Sequence, residues 1–321
     1  MKDKLYAHLE TWRPYTIIWC GLVSLAGSCI GHQTFPPYSV ALLATCIPMM
    51  GWAAGLYLSD YLDRDLDAIE KPHRPIPSGR IHPNEALVIG AILAFSGLFL
   101  SYVLSIWNFI LVFIVALLVF SYAKLSKSRG ILGNLNRGLV TVAAYIFGVS
   151  STGNSPQSFP LYVWLLSLVF LLHDTNSNLV GAIRDMKGDK EGGYMTIPVK
   201  YGLTISVVLS ILLTGGWLFL ALFLPFYYQF LSQQFYGLMI LDIAVLVAFY
   251  IYLFRSVKQY TREKALHFHE FFVIERIILA SAFILGIASL ALGMMIFLFA
   301  LVITAYSQFS LRKQYEFVDA R

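Results

Sequence analysis

Charge is what this sequence has least of. Asp, Glu, Lys and Arg together make up 13% of 321 residues, against ~25% in soluble domains. That shortage excludes an ordinary water-soluble globule, a disordered chain and a long coiled coil. A nucleic-acid-binding domain goes with them, in spite of a formal net charge of +5. Cysteine is nearly absent too. Cys20, Cys29 and Cys46 are odd in number, lie in apolar runs and show no C-x-x-C spacing, so they read as small buried hydrophobes. Phosphate-binding and dinucleotide-binding glycine motifs, HExxH and GxSxG are all missing. No low-complexity tract or linker divides the chain, which is read as one domain, 1–321. The first residues, MKDKLYAHLETWRP, mix Asp3 and Glu10 with lysines. They lack the basic start, apolar core and cleavage site of a signal peptide and are read as part of the mature protein.

Apolar residues are what is there: 58% of the chain, with a mean hydropathy of +0.70. Stretches such as ALVIGAILAFSGLFLSYVL are apolar on every face, unlike the alternating strands of a membrane barrel. The class is therefore all-α, a polytopic bundle of transmembrane helices. Apolar runs fall near 15–31, 38–59, 86–104, 106–121, 131–150, 159–180, 202–226, 236–254 and 271–308. As one helix the last would be about 57 Å long, too long for a ~30 Å hydrocarbon core. Splitting it near Ser289–Gly293 gives ten spans.

Basic residues accumulate in short cytoplasmic loops. All 23 Lys and Arg fall before span 1, after the even-numbered spans 2, 4, 6 and 8, or at the C-terminal end. Arg137 is assigned to the loop after span 4 and Arg276 to the loop after span 8. The pattern predicts both termini on the cytoplasmic side of an integral protein of the cytoplasmic membrane.

Two acidic clusters stand out, four spans apart, a weak sign of an internal repeat. The first, in GLYLSDYLDRDLDAIEKPHRPIPSGR, places Asp60, Asp63 and Asp67 at i, i+3 and i+7, one face of a helix if span 2 runs on through them. Asp65 points elsewhere. The second, in HDTNSNLVGAIRDMKGDKEGGYMTIPVKYG, has Asp185 and Asp189 at i, i+4, with Asp174 and Asn178 near the same stripe but inside the apolar run. Each alone could be a solvated helix end or a satisfied interhelical hydrogen bond. Together, at one membrane depth, they suit Mg²⁺, held by carboxylates and substrate phosphates. Lys71 and Arg74 follow the first cluster, and Arg184, Lys187 and Lys190 lie within the second. Such cations beside carboxylates fit a diphosphate bridged by Mg²⁺. Asp242, well inside span 8, is expected to face the bundle or a cavity.

These residues resemble the UbiA superfamily of intramembrane prenyltransferases, which carries N/D-D-x-x-D-x-x-x-D after its second span and D-x-x-x-D after its sixth. Here the first motif stands as Ser59-Asp60-x-x-Asp63-x-x-x-Asp67, continued by His73-Arg74-Pro75 and Ser78-Gly79. The second is Asp185 with Asp189, and Asn178 lies seven residues ahead. Arg13-Pro14, Tyr122 with Lys124 or Lys127, and Gly133-Asn134 match as well. Ser59 replaces the usual asparagine, and a usual span count of nine is one below the charge count. The resemblance implies a UbiA-like bundle of nine to ten spans with its active site toward the cytoplasm. It implies metal ligands among Ser59, Asp60, Asp63, Asp67, Asp185 and Asp189. The same five aspartates would be the catalytic residues. Diphosphate contacts would come from Lys71, Arg74, Tyr122, Lys124, Lys127, Asn178, Arg184 and Lys190. The implied reaction ionises a prenyl diphosphate and transfers the prenyl group to a small aromatic or hydroxyl acceptor. The alternative is a UbiA-type terpene cyclase that uses no acceptor. Expected partners are the donor, the acceptor and membrane lipid, with no nucleic acid.

Overall fold

A computed structural model describes residues 2–121, 130–256 and 261–312, and within them the chain folds into twelve α-helices and a few single turns. Two helices are short, α1 (Lys2–Trp12) and α4 (Arg64–Glu70). The long ones follow the apolar runs: α2 (Pro14–His32), α3 (Tyr38–Leu62), α5 (Pro83–Leu104), α6 (Ile106–Ser121) and α7 (Ile131–Val149). Then come α8 (Leu161–Glu191), α9 (Ile197–Tyr228), α10 (Gln233–Ser256), α11 (Arg262–Leu285) and α12 (Leu290–Ser307). The long C-terminal run does break. Ser289 caps α12 by accepting from the Leu292 amide at 3.4 Å.

Six helices, α2, α3, α5, α9, α10 and α12, are long and apolar enough to cross a membrane by length and composition. At 16 residues α6 is apolar but short. The other three, α7, α8 and α11, are long enough but interrupt their apolar stretches with Asn, Asp, Glu and Arg.

The helices α2 and α11 lie at the centre of the bundle. α2 packs on α3, α7, α11 and α12, and α11 on α2, α8, α10 and α12. Their shared core includes Trp19, Ala26, Tyr145, Phe170, Trp217 and Phe283. Small residues set the approach of α2 to α7: a side chain at Gly27 would strike the Tyr145 carbonyl, and one at Gly148 the Ser24 carbonyl. Such seams compensate for the lack of a hydrophobic drive between helices in lipid. The outer helices turn Phe95, Phe113, Phe219 and Phe299 away from the bundle, as a lipid-facing surface requires.

A smaller core covers one end. Ala7 of α1 packs with Tyr57, Ile76, Ile81 and Ala86, fixing the segment between α4 and α5 against α3 and α5. That segment folds tightly, with Ser78 N bonded to Arg74 O and Ile81 N to Pro75 O. Its turn passes through Gly79 at φ 75°, a conformation glycine adopts without the Cβ penalty.

Candidate active site

The first cluster is built where α3 stops. The helix does not run on: Asp63 takes φ −89°, ψ 2° between α3 and α4. Backbone bonds from Asp63 N to Ser59 O and from Asp67 N to Asp63 O nevertheless keep the helical register. Asp60 and Asp67 therefore stay on one side, 7% and 4% exposed, whereas Asp63 at the break is exposed. The expected face of three carboxylates is thus a buried pair with an exposed third. Asp65 is exposed as expected, 3.7 Å from Arg64.

Arg74 bridges the buried pair, with Nη1 at 2.6 Å from Asp67 and 3.8 Å from Asp60. Arg13 donates to Asp60 from the other side at 3.3 Å. It sits at φ 46° between α1 and α2, in the left-handed region that costs ~1–2 kcal/mol for an L-residue. Two guanidiniums offset the repulsion between the carboxylates, and their planar forks suit phosphate oxygens. Around them α1 is tied down. Arg80 reaches Glu10 at 2.6 Å and the His73 carbonyl at 2.7 Å, and Tyr57 Oη accepts from Trp12 at 2.9 Å. Burial pushes the Glu10 carboxyl up, against the opposing pull of Arg80.

The second cluster lies on α8, which is continuous over 31 residues. Asp174, Asn178, Asp185 and Asp189 therefore share a stripe. Asp185 is exposed and paired with its neighbour Arg184, Nη2 at 2.6 Å and Nε at 2.9 Å. Asp189 accepts from Thr196 Oγ1 at 3.1 Å. The Asn134 amide, oriented for its best partners, lies 3.1 Å from Asn178 and joins α7 to this stripe. Ser59 is exposed and donates to the Leu56 carbonyl at 3.0 Å. Lys187 and Lys190 are exposed and Lys71 is half-buried. Tyr122, Lys124 and Lys127 lie outside the described residues.

Hard carboxylate oxygens beside arginines are the donor set Mg²⁺ and a diphosphate would meet. Among the described residues no three His, Cys, Asp or Glu side chains converge to hold a metal alone.

Two arginines are not where the charge pattern placed them. Arg137 lies inside α7, its guanidinium 4.3 Å over the Trp52 ring. Arg276 lies inside α11, 5% exposed, and donates to the Tyr15 carbonyl at 2.6 Å. Its neighbour Glu275 pairs with His173 of α8 at 2.9 Å, and Asp242 of α10 is fully buried with no hydrogen-bond partner for either oxygen among the described residues. Their one sequence signal is charge inside an apolar run, which marks Asp242 but is masked at Glu275 and Arg276, where the charge pattern reads a loop.

Residues 17–274 match the model of the UbiA prenyltransferase family. The chain belongs to that family. Its relatives include the digeranylgeranylglyceryl phosphate synthase of Korarchaeum cryptofilum, 34% identical over 66% of this chain and 73% of that protein. The synthase of Pyrococcus horikoshii is 30% identical over 64% and 72%. Among solved structures, one reported as a digeranylgeranylglyceryl phosphate synthase in membranes has TM-score 0.66 at 29% identity, covering 89% of this chain and 99% of that one. A UbiA homologue from Archaeoglobus fulgidus bound to GPP and Mg²⁺ shares the fold, with TM-score 0.63 at 16% identity over 95% and 99%. The family membership and the apolar helices make this UbiA protein an integral membrane protein.

Proposed function

We propose that this UbiA protein transfers a prenyl group from a prenyl diphosphate, held with Mg²⁺ between the two aspartate clusters, to a hydroxyl acceptor. The observation that carries this reading is the meeting of Asp60, Asp67, Arg74 and Arg13 from three separated stretches of chain at one end of the bundle. Mg²⁺, bound with the diphosphate, supplies the charge neutralisation that makes it a leaving group. Arg74 and Arg13 keep the carboxylates in place and donate hydrogen bonds to the departing oxygens. Asp185, Asp189 and Asn178 present the second set of oxygen ligands from α8. The C–O bond breaks with its electron pair going to diphosphate. The packed core beneath keeps the allylic cation from water until the acceptor oxygen bonds to it and passes its proton to the released diphosphate.

The relatives' names support the class of acceptor: removing one geranylgeranyl group from digeranylgeranylglyceryl phosphate leaves geranylgeranylglyceryl phosphate, whose free hydroxyl is the nucleophile. The reading includes ten spans, both termini cytoplasmic, one domain over 1–321 and residence in the cytoplasmic membrane, supported by the alternation of basic loops. Purified protein with Mg²⁺ and geranyl, farnesyl or geranylgeranyl diphosphate, with and without geranylgeranylglyceryl phosphate or an aromatic acceptor, tests it. The expected product contains the acceptor, and diphosphate release rises when the acceptor is added. Full-rate conversion of a diphosphate alone to a cyclic terpene would overturn it.

A further inference from the structure

Arg137 and Arg276 present a charge problem inside the bundle. Neither has an ion-pair partner among the described residues. Arg137 places its guanidinium carbon 4.3 Å over the Trp52 ring, a cation–π attraction that does not itself consume a hydrogen-bond donor. Arg276 spends Nη2 on the Tyr15 carbonyl, while its buried Nε has no acceptor among the described residues. The two guanidiniums lie within electrostatic range of each other, and Asp174, whose Oδ2 is also buried without a partner, lies within range of Arg276. Glu275 is already engaged by His173. Charged groups in apolar surroundings are expensive unless matched, and neither guanidinium is in an ion pair among the described residues.

Neighbouring contacts also locate the pair relative to the first cluster. Arg13 binds Asp60 at the start of α2. Within the next turn, Tyr15 receives Arg276, and Thr16 accepts from Trp52 at 3.1 Å, beneath Arg137. Asn134, one turn before Arg137, reaches Asn178 of the second cluster's stripe. The arginines therefore sit on the bundle side of the diphosphate site, where an acceptor must come alongside the reacting carbon.

We propose that Arg137 and Arg276 form an anion subsite that binds a carboxylate or phosphate carried by the acceptor and so orients its nucleophile. The proposal rests on the prenyl-transfer reading, and its test separates the two.

The test measures binding to the full chain in detergent with EDTA present, so that no metal-bound diphosphate competes. Geranylgeranylglyceryl phosphate probes the phosphate source, 4-hydroxybenzoate the carboxylate source, and geranylgeranylglycerol is the neutral control. One anionic probe is expected to stabilise the protein thermally, binding at least tenfold tighter than the neutral control. Arg137→Gln and Arg276→Gln should each weaken that binding tenfold or more, and Arg137→Lys should recover part of it. Mg²⁺-dependent binding of an unreactive geranylgeranyl thiodiphosphate should be unchanged in both Gln variants. The proposal is overturned if neither anionic probe binds the wild type, if the Gln variants bind as the wild type does, or if they lose affinity for the thiodiphosphate instead. Should Arg276→Gln not fold, Arg137→Gln decides alone, since among the described residues Arg137 forms no ion pair and rests on the Trp52 ring. Absence of Mg²⁺-dependent thiodiphosphate binding in the wild type would overturn the transfer reading separately.

Discussion

Asp67 and Asp185 belong to matching clusters but find their cations in different ways. Asp67 is buried and meets Arg74, seven positions on, through a folded segment that Ala7, Ile76 and Ile81 hold in place. Asp185 has half its side-chain surface accessible and meets Arg184, the residue beside it. A buried pair cannot lose one member cheaply, because the remaining charge stays out of water. An exposed neighbouring pair contributes ~0–1 kcal/mol and is weakened by salt. The first half of the site is thus organised by the fold before any ligand arrives, and the second half is left for the ligand to organise.

The contrast is sharpest at Arg74. Arg74→Gln should cost about 3 kcal/mol of stability, read as a lower unfolding temperature of the purified protein, along with most turnover. An unchanged unfolding temperature would erase the distinction between the clusters. Asp185→Asn should also remove most turnover, by roughly 100-fold or more, yet alter stability by less than about 0.5 kcal/mol. Equal destabilisation by the two substitutions would mean that α8 is as dependent on its acid as α3.

Next in size is Arg80→Gln, which removes the partner of buried Glu10 and should cost about 1–3 kcal/mol near neutral pH. Glu10 already has its carboxyl raised by burial, so its contribution to stability is greatest below the ordinary carboxylate value and is lost as pH rises through the raised one. Without Arg80 that value rises further. The deficit should therefore shrink as pH falls and the carboxyl protonates, and thermal scans from pH 4 to pH 8 would show a pH-independent deficit if the pair were irrelevant. Smallest of all, Asp65→Ala should change turnover less than about twofold, because the Asp65 side chain is 88% exposed and lies beside Arg64, off the buried pair.

The helices were legible because apolar runs of this length have few other fates, and the ten long helices follow those runs. The aspartates were legible as motifs, since their spacing survives the break at Asp63. The break itself was not, because only the local backbone decides whether Asp63 faces in or out. The bridge from Arg74 to Asp60 and Asp67 follows a turn that Gly79 permits, and periodicity carries no information about it. Arg137 and Arg276 misled for a different reason: a rule that assigns every cation to a loop has no way to mark one held inside a helix by a carbonyl and an indole.

The bond between Arg276 and the Tyr15 carbonyl joins positions 261 residues apart. During synthesis α2 enters the membrane first among the long helices, yet its partner α11 is among the last. At ~5–20 residues per second the interval is roughly 13–50 s. For that time Trp19 and the Tyr15 carbonyl have no α11 to close against. A nascent chain halted before residue 262 would hold both aspartate motifs complete while the central helix lacked one of its walls. Such a chain is a natural substrate for membrane quality control.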